Sequence, residues 1–388
     1  MLAYTIYESD SRVRRMSEAL VDAGSYVECL SLKQSSKPFK RNIQNVKVLN
    51  LPVHKYQGDN KAAYIISHLY FFLITLFVIT WKTIRKPYDV IHVHNMPDFL
   101  VFSAIIARLR GTKVILDLHD LVPEATIAKW RISEDSSIVK ILKLQEKIST
   151  GFADTVLCVS QPEMDVIVKR GIAKRKVHVI MNLPDEKIFY PRTSERDDHS
   201  FLIVYHGTIA ERLGLDIAVE AVNLVKDKIP NIFFNIYGDG DYVDYLNSLI
   251  SDKKLQKWIR CHGERLPVDE IPILISTADI GIVPNYDWND RAGDSMLPVK
   301  LLEYVAMGIP VICSRLKTVE YYFDDEMLKF INPGDSEDLA KCIIQLHKEP
   351  EQRKLQVTKA NKFLTSFNWL AQKKYYNNLI ENLSEGIS

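Results

Sequence analysis

Residues 300–314 read KLLEYVAMGIPVICS, and this stretch predicts a helix that ends and a buried strand that follows it. Gly308 and Pro310 are typical of positions just beyond a helix, because glycine adopts a left-handed conformation there and proline cannot continue the helix. Val311–Ser314 is a short apolar run, as in strands that are covered on both faces. The stretch therefore predicts one helix–strand step of an α/β domain.

The same alternation extends in both directions along the chain. In the first half we expect strands at Ala3–Tyr7, Val90–His94, Val114–Leu118, Thr155–Ser160 and Val177–Met181. In the second half we expect further strands at Phe201–Tyr205, Phe233–Tyr237, Ile259–His262 and Ile280–Val283. The predicted helices between them include Leu100–Leu109, Ile138–Thr150, Leu215–Lys226 and Tyr242–Ile250. This rhythm is typical of doubly wound α/β domains.

Two such domains fit the length of 388 residues, which is too long for one comfortable core. Pro184, Pro191 and the charged segment 193–200 interrupt the alternation and predict a linker. We therefore place a first Rossmann-like domain at 1–185 and a second at 186–369. A C-terminal helix at about 370–388 is allowed to pack back on the first domain.

Composition narrows both the class of protein and its compartment. The chain is 47% hydrophobic and 26% charged, which excludes collagen-like, disulfide-scaffold and wholly disordered proteins. Its 5 cysteines form no Cys-x-x-Cys pair, so we expect a reducing compartment and no zinc site. The first residues lack the basic region of a signal peptide, so we predict a cytoplasmic protein.

The charges are unevenly distributed along the chain. Residues 1–195 hold 28 Lys and Arg against 20 Asp and Glu, whereas the remainder holds 22 against 29. A basic half is expected to face an anionic partner such as a membrane or a phosphorylated molecule. Ordinary variation between two domain surfaces explains the same numbers, and the sequence leaves both interpretations open.

Three features of the second half predict a site for a nucleotide diphosphate. Its first strand runs into His206-Gly207-Thr208, where glycine lets a ligand approach the backbone. Arg212 comes shortly before the next helix and offers a planar guanidinium to an anion. Lys300 and Glu303 lie in the first turns of the helix that Pro298 opens, where phosphate is favoured and a carboxylate is placed to accept hydrogen bonds from a ribose.

Residues 300–312 resemble the Lys-x-x-Glu-x-x-Ala-x-Gly-x-Pro-Val signature of retaining, nucleotide-sugar-dependent glycosyltransferases of family 4. Further stretches resemble that family's motifs in the same order along nearly the whole chain: Asp10–Val13, Asp117–Asp120, Ala153–Ser160, Ile180–Asn182, Gly207–Asp216 and Tyr237–Gly240. The resemblance implies the GT-B fold, in which two Rossmann-like doubly wound domains face each other across a cleft.

The resemblance also implies roles for single residues. Arg212 matches the arginine on the donor diphosphate, Glu303 the glutamate on the nucleotide ribose, and Lys300 resembles a second cation. His119 matches a histidine near the sugar and the leaving group, and His94 is a second catalytic candidate. The remaining residues expected at the donor are Gly207, Glu264, Arg265, Asp294 and Ser295. Arg12 is expected on the acceptor side.

The mechanism implied by the resemblance needs no covalent nucleophile, no metal and no other cofactor. The departing diphosphate helps to deprotonate the acceptor, and the protein mainly stabilises the charge that develops on it. Two departures from the family pattern concern the donor. Leu213 stands where a lysine often follows the arginine, and Ser295 stands where the first glutamate of Glu-x7-Glu is expected, with Asp294 one residue off.

The segment Ala62–Trp81 is unusually apolar, because 16 of its 20 residues are apolar and none is charged. Its length would span a bilayer, but it lies inside an α/β domain, so we reject a membrane span. An interfacial helix with Phe71, Phe72 and Trp81 towards lipid and Lys82 and Arg85 towards headgroups is one interpretation. A buried helix of the first domain is the other.

Together these observations predict transfer of a sugar from a nucleotide diphosphate sugar to a lipid-linked or oligosaccharide acceptor. The expected setting is synthesis of a capsule, O-antigen or exopolysaccharide, by a protein held peripherally on the inner face of the cell membrane. A sugar-nucleotide epimerase of the same fold and a non-catalytic sugar-nucleotide-binding protein remain alternatives. No nucleic-acid partner is expected.

Overall fold

The structure is a computed structural model that describes residues 1–386 apart from 34–37, 57–59, 131, 193–199, 265 and 288–296. The chain divides into two compact units. The first unit consists of Met1–Asn182 together with Ala371–Ser388, and the second unit consists of Leu183–Leu370. Each unit has its own β-sheet, and strands and helices alternate in both.

The strands of the first unit are β1 (Glu28–Leu32), β2 (Lys40–Ile43), β3 (Val46–Leu51), β4 (Val90–His94), β5 (Lys113–Asp117), β6 (Thr155–Cys158) and β7 (Val177–Val179). Its helices are α1 (Ser11–Asp22), α2 (Lys61–Arg85), α3 (Ile105–Leu109), α4 (Val122–Trp130), α5 (Ser137–Phe152) and α6 (Gln161–Lys169). Short 3-10 turns lie at Tyr7–Ser9, Asp98–Ala104 and Lys174–Lys176.

Leu2 joins two parts of the sheet in the first unit. One part has the strand order β2-β3-β1, and the other has β4-β5-β6-β7. Leu2 forms parallel bridges to Leu30 in β1 and to Val93 in β4, and so connects the two parts. Every strand pair is parallel except β2 with β3. This is the doubly wound pattern that the βαβ rhythm predicts.

The strand predicted at Ala3–Tyr7 is wrong in its extent. Ala3 and Thr5 still hydrogen-bond to the backbone of β1, but Tyr7–Ser9 forms a 3-10 turn. The physical reason is the helix that follows. The Asp10 side chain accepts the N–H of Val13 at 3.0 Å, which caps α1 and turns the chain away from the sheet.

The strands of the second unit are β8 (Phe201–His206), β9 (Ile232–Tyr237), β10 (Ile259–Cys261), β11 (Ile280–Val283), β12 (Val311–Ser314) and β13 (Lys329–Ile331). Its helices are α7 (Leu215–Val225), α8 (Val243–Asp252), α9 (Ile271–Ile275), α10 (Val299–Met307), α11 (Lys317–Tyr322), α12 (Ser336–Lys348) and α13 (Pro350–Ser366). The last helix of the chain, α14 (Trp369–Glu385), passes from the second unit into the first.

The strand order of the second sheet decides where a ligand would bind. The order is β10-β9-β8-β11-β12-β13, and all pairs are parallel. Counted from β8, this is the 3-2-1-4-5-6 order of a doubly wound dinucleotide-type fold, and the order reverses between β8 and β11. Ligands of such sheets bind outside the carboxyl ends of the strands at this reversal. The sheet therefore points to the residues that directly follow β8 and β11.

Helix α2 contains the apolar segment Ala62–Trp81. Among the described residues it is the one helix long and apolar enough to cross a membrane, and 22% of its most apolar window is buried. Phe71 is fully buried in the core of the first unit, edge-on to Tyr4 with ring centroids 5.3 Å apart. The prediction that Phe71 faces lipid is therefore wrong, because its side of the helix packs on the sheet. Phe72 is partly buried against Phe99.

The C-terminal end of α2 is anchored by charge. Lys82 donates a hydrogen bond to Glu28 at 2.8 Å, and Tyr88 donates to the same carboxylate at 2.5 Å. Burial alone would raise the pKa of Glu28, but these bonds lower it to about 2. Trp81 remains exposed, with the guanidinium of Arg85 at 3.9 Å from its ring centroid.

Candidate active site

Two glycines shape the carboxyl end of β8. Gly207 follows the strand with φ +115°, and Gly238 follows β9 with φ +141°. A Cβ on Gly238 would lie 1.7 Å from the carbonyl oxygen of Gly207, so a larger residue does not fit there. The two glycines let the strand ends approach each other closely and leave exposed backbone at the reversal of the sheet.

Lys300 lies beside this glycine turn, in the first turn of α10. Its Cε is 3.3 Å from the position that a Cβ on Gly207 would take, and its Nζ is 4.7 Å from the ring centroid of Tyr205. Burial lowers the pKa of Lys300 to about 8, the Glu303 carboxylate opposes this shift, and the positive charge of Arg212 adds to it. A desolvated ammonium near a second cation is a favourable place for an anion.

Arg212 supplies that second cation. It lies in the 3-10 turn Glu211–Leu213, which ends at Gly214 with φ +65° and leads into α7. The side chain is exposed, and within the described residues it has no carboxylate partner. Arg212 and Lys300 repel each other, so a diphosphate placed between them would be stabilised by both.

Glu303 is held by a residue that the sequence analysis did not assign a role. His206, at the end of β8, contacts the Glu303 carboxylate with a Nε2–Oε2 distance of 2.6 Å. His206 is buried, and its backbone N–H donates to the Tyr304 hydroxyl at 3.2 Å. Glu303 is thereby fixed beside the glycine turn with one oxygen committed to His206. His206 is a positioning residue, and no local pattern could reveal it because 97 positions separate the pair.

The other predicted donor-side residues are not brought into this group. Glu264 is exposed after β10, which lies two strands away from β8 at the edge of the sheet. Arg265, Asp294 and Ser295 lie outside the described residues. Their assignment to the base and the sugar stays a prediction.

The carboxyl ends of β4 and β5 carry a buried charged cluster in the first unit. Arg12 donates to both oxygens of Asp117, from Nη2 at 2.8 Å and from Nε at 2.9 Å. His92, His94 and His119 place ring nitrogens 3.3, 3.1 and 3.5 Å from Oδ2 of Asp117. Burial alone would raise the pKa of Asp117, but the charge of Arg12 outweighs it and the pKa lies well below its usual range.

His119 is the member of this cluster that reaches solvent, since its side chain is 20% exposed. Its Nε2 lies 2.9 Å from Nδ1 of His94, and its backbone N–H donates to the Asn95 side chain at 2.7 Å. His94 is fully buried and contacts His119, and its catalytic role stays a prediction. His94 and Asp117 orient His119.

Arg12 belongs to the same cluster. It is buried, and besides Asp117 it donates to the carbonyl of Ile180 at 2.7 Å and to the side chain of Asn182 at 3.0 Å. Its contacts in this structure are structural, and the acceptor-side role stays a prediction. The motif residues Asp10–Val13, Asp117–Asp120 and Ile180–Asn182 meet because Arg12 links them, which gives them a structural role.

His92, His94 and Asp117 are spaced closely enough to hold a metal ion, with ligand atoms within 4.8 Å of one another. Their hydrogen bonds already account for the cluster. Both oxygens of Asp117 accept from Arg12, and Nδ1 of His92 lies 2.8 Å from the hydroxyl of Tyr376. The positive guanidinium at this carboxylate opposes a second cation. We therefore interpret the cluster as an ion-pair network.

Comparison with known families agrees with this two-unit organisation. Residues 9–182 match the family described as "Glycosyl transferase 4-like domain", and residues 186–363 match "Glycosyl transferases group 1". The chain belongs to the GT-B glycosyltransferases. The first match contains the Asp117 cluster of the glycosyltransferase, and the second contains Arg212, Lys300 and Glu303.

Two curated relatives of this chain share about a quarter of its residues over the matched region. One component of the phosphatidylinositol N-acetylglucosaminyltransferase of Arabidopsis thaliana is 24% identical over 67% of this chain and 54% of its own length. The amylovoran biosynthesis glycosyltransferase AmsK of Erwinia amylovora is 25% identical over 50% and 47%. The glycosyltransferase thus matches about half the length of these curated relatives. The solved structure of Anabaena HepE in complex with UDP-glucose has a TM-score of 0.72 at 13% identity, over 98% of both chains.

The reduced basicity of Lys300 gives a first testable prediction. Holding a diphosphate would need the ammonium form, so affinity for a nucleoside diphosphate is expected to be highest below pH 8 and to fall above it, by up to about tenfold per pH unit. Titration calorimetry of uridine and guanosine diphosphate between pH 7 and pH 9.5 measures this. Lys300→Arg is the matched control, because a guanidinium stays protonated and should flatten the profile. An unchanged slope in that variant would contradict the role of Lys300.

Proposed function

We propose that this glycosyltransferase moves a sugar, with retention of its anomeric configuration, from a nucleotide diphosphate sugar to a lipid-linked or oligosaccharide acceptor. The observation that carries the proposal is the group formed by Arg212, Lys300 and Glu303 at the reversal of the second sheet. Two neighbouring cations suit a diphosphate, and a fixed carboxylate suits the ribose hydroxyls beside it. The UDP-glucose that the HepE structure holds supports a donor of this kind.

In the proposed reaction the second unit holds the donor. Arg212 and Lys300 neutralise the charge that grows on the diphosphate as the bond to the sugar breaks. The leaving phosphate takes the proton of the acceptor hydroxyl, which attacks on the same face of the sugar. A role for His119 near the sugar and the leaving group, which the family resemblance implies, is part of this proposal. We propose that this chemistry requires no metal and no other cofactor.

The acceptor and the cellular setting are proposed from the names of two relatives. The names of the two relatives refer to phosphatidylinositol and to amylovoran, one a lipid and one a polysaccharide. Both are consistent with an acceptor in glycolipid or extracellular polysaccharide synthesis. We propose a cytoplasmic protein that works at the inner face of the cell membrane.

Two measurements test the reaction. Thermal shift with a panel of uridine- and guanosine-diphosphate sugars should show stabilisation by the true donor, because a ligand that binds the folded state raises its stability. Release of nucleoside diphosphate should then depend on an added acceptor. An isomerised sugar formed without any acceptor would identify an epimerase. Binding with neither nucleotide release nor isomerisation would identify a sugar-nucleotide-binding protein.

Arg212 is expected to matter for donor affinity more than for folding. Arg212→Ala should weaken binding of the nucleotide diphosphate by roughly 10–150-fold, since it removes a charge-assisted hydrogen-bonding partner. Titration calorimetry measures this, with Arg212→Lys as the variant that keeps the charge and loses the bidentate geometry. A dissociation constant for Arg212→Ala equal to that of the wild type would place the diphosphate elsewhere.

A further inference from the structure

The outward side of helix α2 is apolar, which is the reverse of the polarity expected for a surface helix. Its buried side includes three polar residues, His68, Thr75 and Thr83, beside Phe71 and Ile79. Its outward side is a row of apolar residues that are 45–73% exposed: Ile65, Ile66, Leu69, Tyr70, Leu73, Phe77, Trp81 and Ile84. A soluble surface helix normally places such residues towards the core.

Helix α5 has the same reversed polarity, which the sequence analysis did not predict. It buries Glu146, Ser149 and Thr150, and Glu146 accepts from Arg170 at 2.8 Å. Its outward residues are 45–64% exposed and apolar: Ile138, Ile141, Leu144 and Ile148. Glu146 and Thr150 form hydrogen bonds inside the unit, whereas the apolar residues of the other side remain exposed.

The outward sides of α2 and α5 are linked through the 3-10 turn Asp98–Ala104 and helix α3. The turn packs against both helices. Phe99 lies edge-on to Phe72 of α2 with ring centroids 5.7 Å apart, and Phe102 lies edge-on to Phe152 of α5 at 5.1 Å. Helix α3, which packs against α2, adds Ile105 and Leu109, which are 41% and 78% exposed. We call these outward sides of α2, α3 and α5 the apolar face.

The exposed charges on the three helices of the apolar face are cations, whereas the exposed carboxylates of Asp89 and Asp135 lie beyond the ends of α2 and α5. The sequences of α2, α3 and α5 contain a single carboxylate, Glu146, and it is buried. Exposed cations lie at the end of α2 and along α5: Arg85, Lys86, Lys140 and Lys147. Contiguous apolar surface of this extent is rare on soluble monomers and marks an interaction site.

We propose that the apolar face docks on a membrane that contains anionic phospholipid. Apolar side chains would enter the boundary between headgroups and acyl chains, and the exposed cations would meet lipid phosphates. A second copy of the chain is the less suitable occupant, because its three helices would bring the same cations and no exposed carboxylate of their own.

Helix α2 lies on the membrane rather than across it. Its buried side is tied to the first unit by the Lys82–Glu28 ion pair, by the bond between the hydroxyls of Tyr4 and Ser67 at 2.5 Å, and by His68 stacked on Tyr4. A spanning helix would have to break these contacts and expose Phe71. The participation of α5 and α3, and not the length of α2, sets the orientation of the unit on the bilayer.

Liposome flotation of the full chain tests the docking surface. We expect flotation with vesicles of phosphatidylcholine and phosphatidylglycerol, less at high ionic strength, and little with phosphatidylcholine alone. Leu73→Ser with Phe77→Ser in α2, and separately Ile141→Ser with Leu144→Ser in α5, should each lower the bound fraction at least about tenfold. Leu355→Ser with Leu370→Ser, at exposed apolar positions of the second unit, is the matched control and should float like the wild type.

Three outcomes would overturn the proposal. They are a wild type that does not float, an α5 variant that floats as well as the wild type, and a wild-type dimer in sedimentation velocity that both variants dissociate. All variants replace exposed side chains, and circular dichroism checks their folding. The proposal does not depend on sugar transfer. Donor-induced thermal shift, measured in the same variants without vesicles, reports failure of the donor site separately.

Discussion

Arg12→Ala is expected to destabilise the first unit by about 3–5 kcal/mol, the cost of leaving one partner of a buried ion pair alone. The change would leave the Asp117 carboxylate without its two hydrogen bonds from the guanidinium, in a place where its side chain has no access to solvent. Hydrogen exchange of the β4 and β5 amides measures the effect, because it reports the free energy of opening of this unit by itself.

Two further variants serve as controls for this expectation. Lys373→Ala removes an exposed ion pair with Asp22 in the same unit and should cost less than about 1 kcal/mol. Arg12→Met combined with Asp117→Leu should cost less than the sum of the two single changes, because no buried charge is left alone. Additive effects would show that the pair does not act as a unit. A loss for Arg12→Ala as small as that for Lys373→Ala would contradict the buried-charge argument.

His119→Ala is expected to lower turnover at least about 100-fold while donor affinity stays within a few-fold of the wild type. His119 is the partly exposed end of the Asp117 cluster, so it is the imidazole there that can reach a ligand. Steady-state kinetics with saturating donor, together with calorimetry of nucleoside diphosphate, separates turnover from affinity. His178→Ala, also in the first unit and bonded to Tyr375, is the control of the same residue type.

The positioning role of His94 is tested in the same assay. His94→Asn keeps a side chain that can hydrogen-bond to His119 and should retain part of the turnover, whereas His94→Leu should lose most of it. Normal turnover in His119→Ala would remove the whole cluster from the reaction and leave it a purely structural role.

The sequence predicted strands that are short runs of mainly apolar residues. In the second unit the predicted strands Ile280–Val283 and Val311–Ser314 are confirmed, because a short apolar run signals a strand covered on both faces. Strand β1 was not predicted. All five of its residues are buried, but they include Glu28 and Ser31, whose polar groups are satisfied by Lys82 and Asn50 far along the chain.

In the candidate site, too, contacts between residues far apart in the sequence could not be predicted. The helix that carries Lys300 and Glu303 could be predicted from the sequence alone, because the residues that mark its start and its end are close to it in the chain. The partner of Glu303 could not, because His206 is 97 positions away and meets it only when β8 and α10 are assembled. In the same way, the apolar composition of α2 predicted a helix that is either interfacial or buried. Only the packing of the helix shows that Phe71 faces inward and Phe77 outward.

Helix α14 bears on how the protein is made. Its residues complete the first unit: Tyr376 meets His92, Gln372 accepts the N–H of Met181, and Lys373 pairs with Asp22. These residues leave the ribosome after all of Leu183–Leu370. At 5–20 residues per second, the first unit must therefore wait roughly 10–40 s for its last helix while the second is synthesised. During that interval His92 in β4 lacks its contact with Tyr376, and the nascent chain presents an incomplete domain that chaperones can recognise.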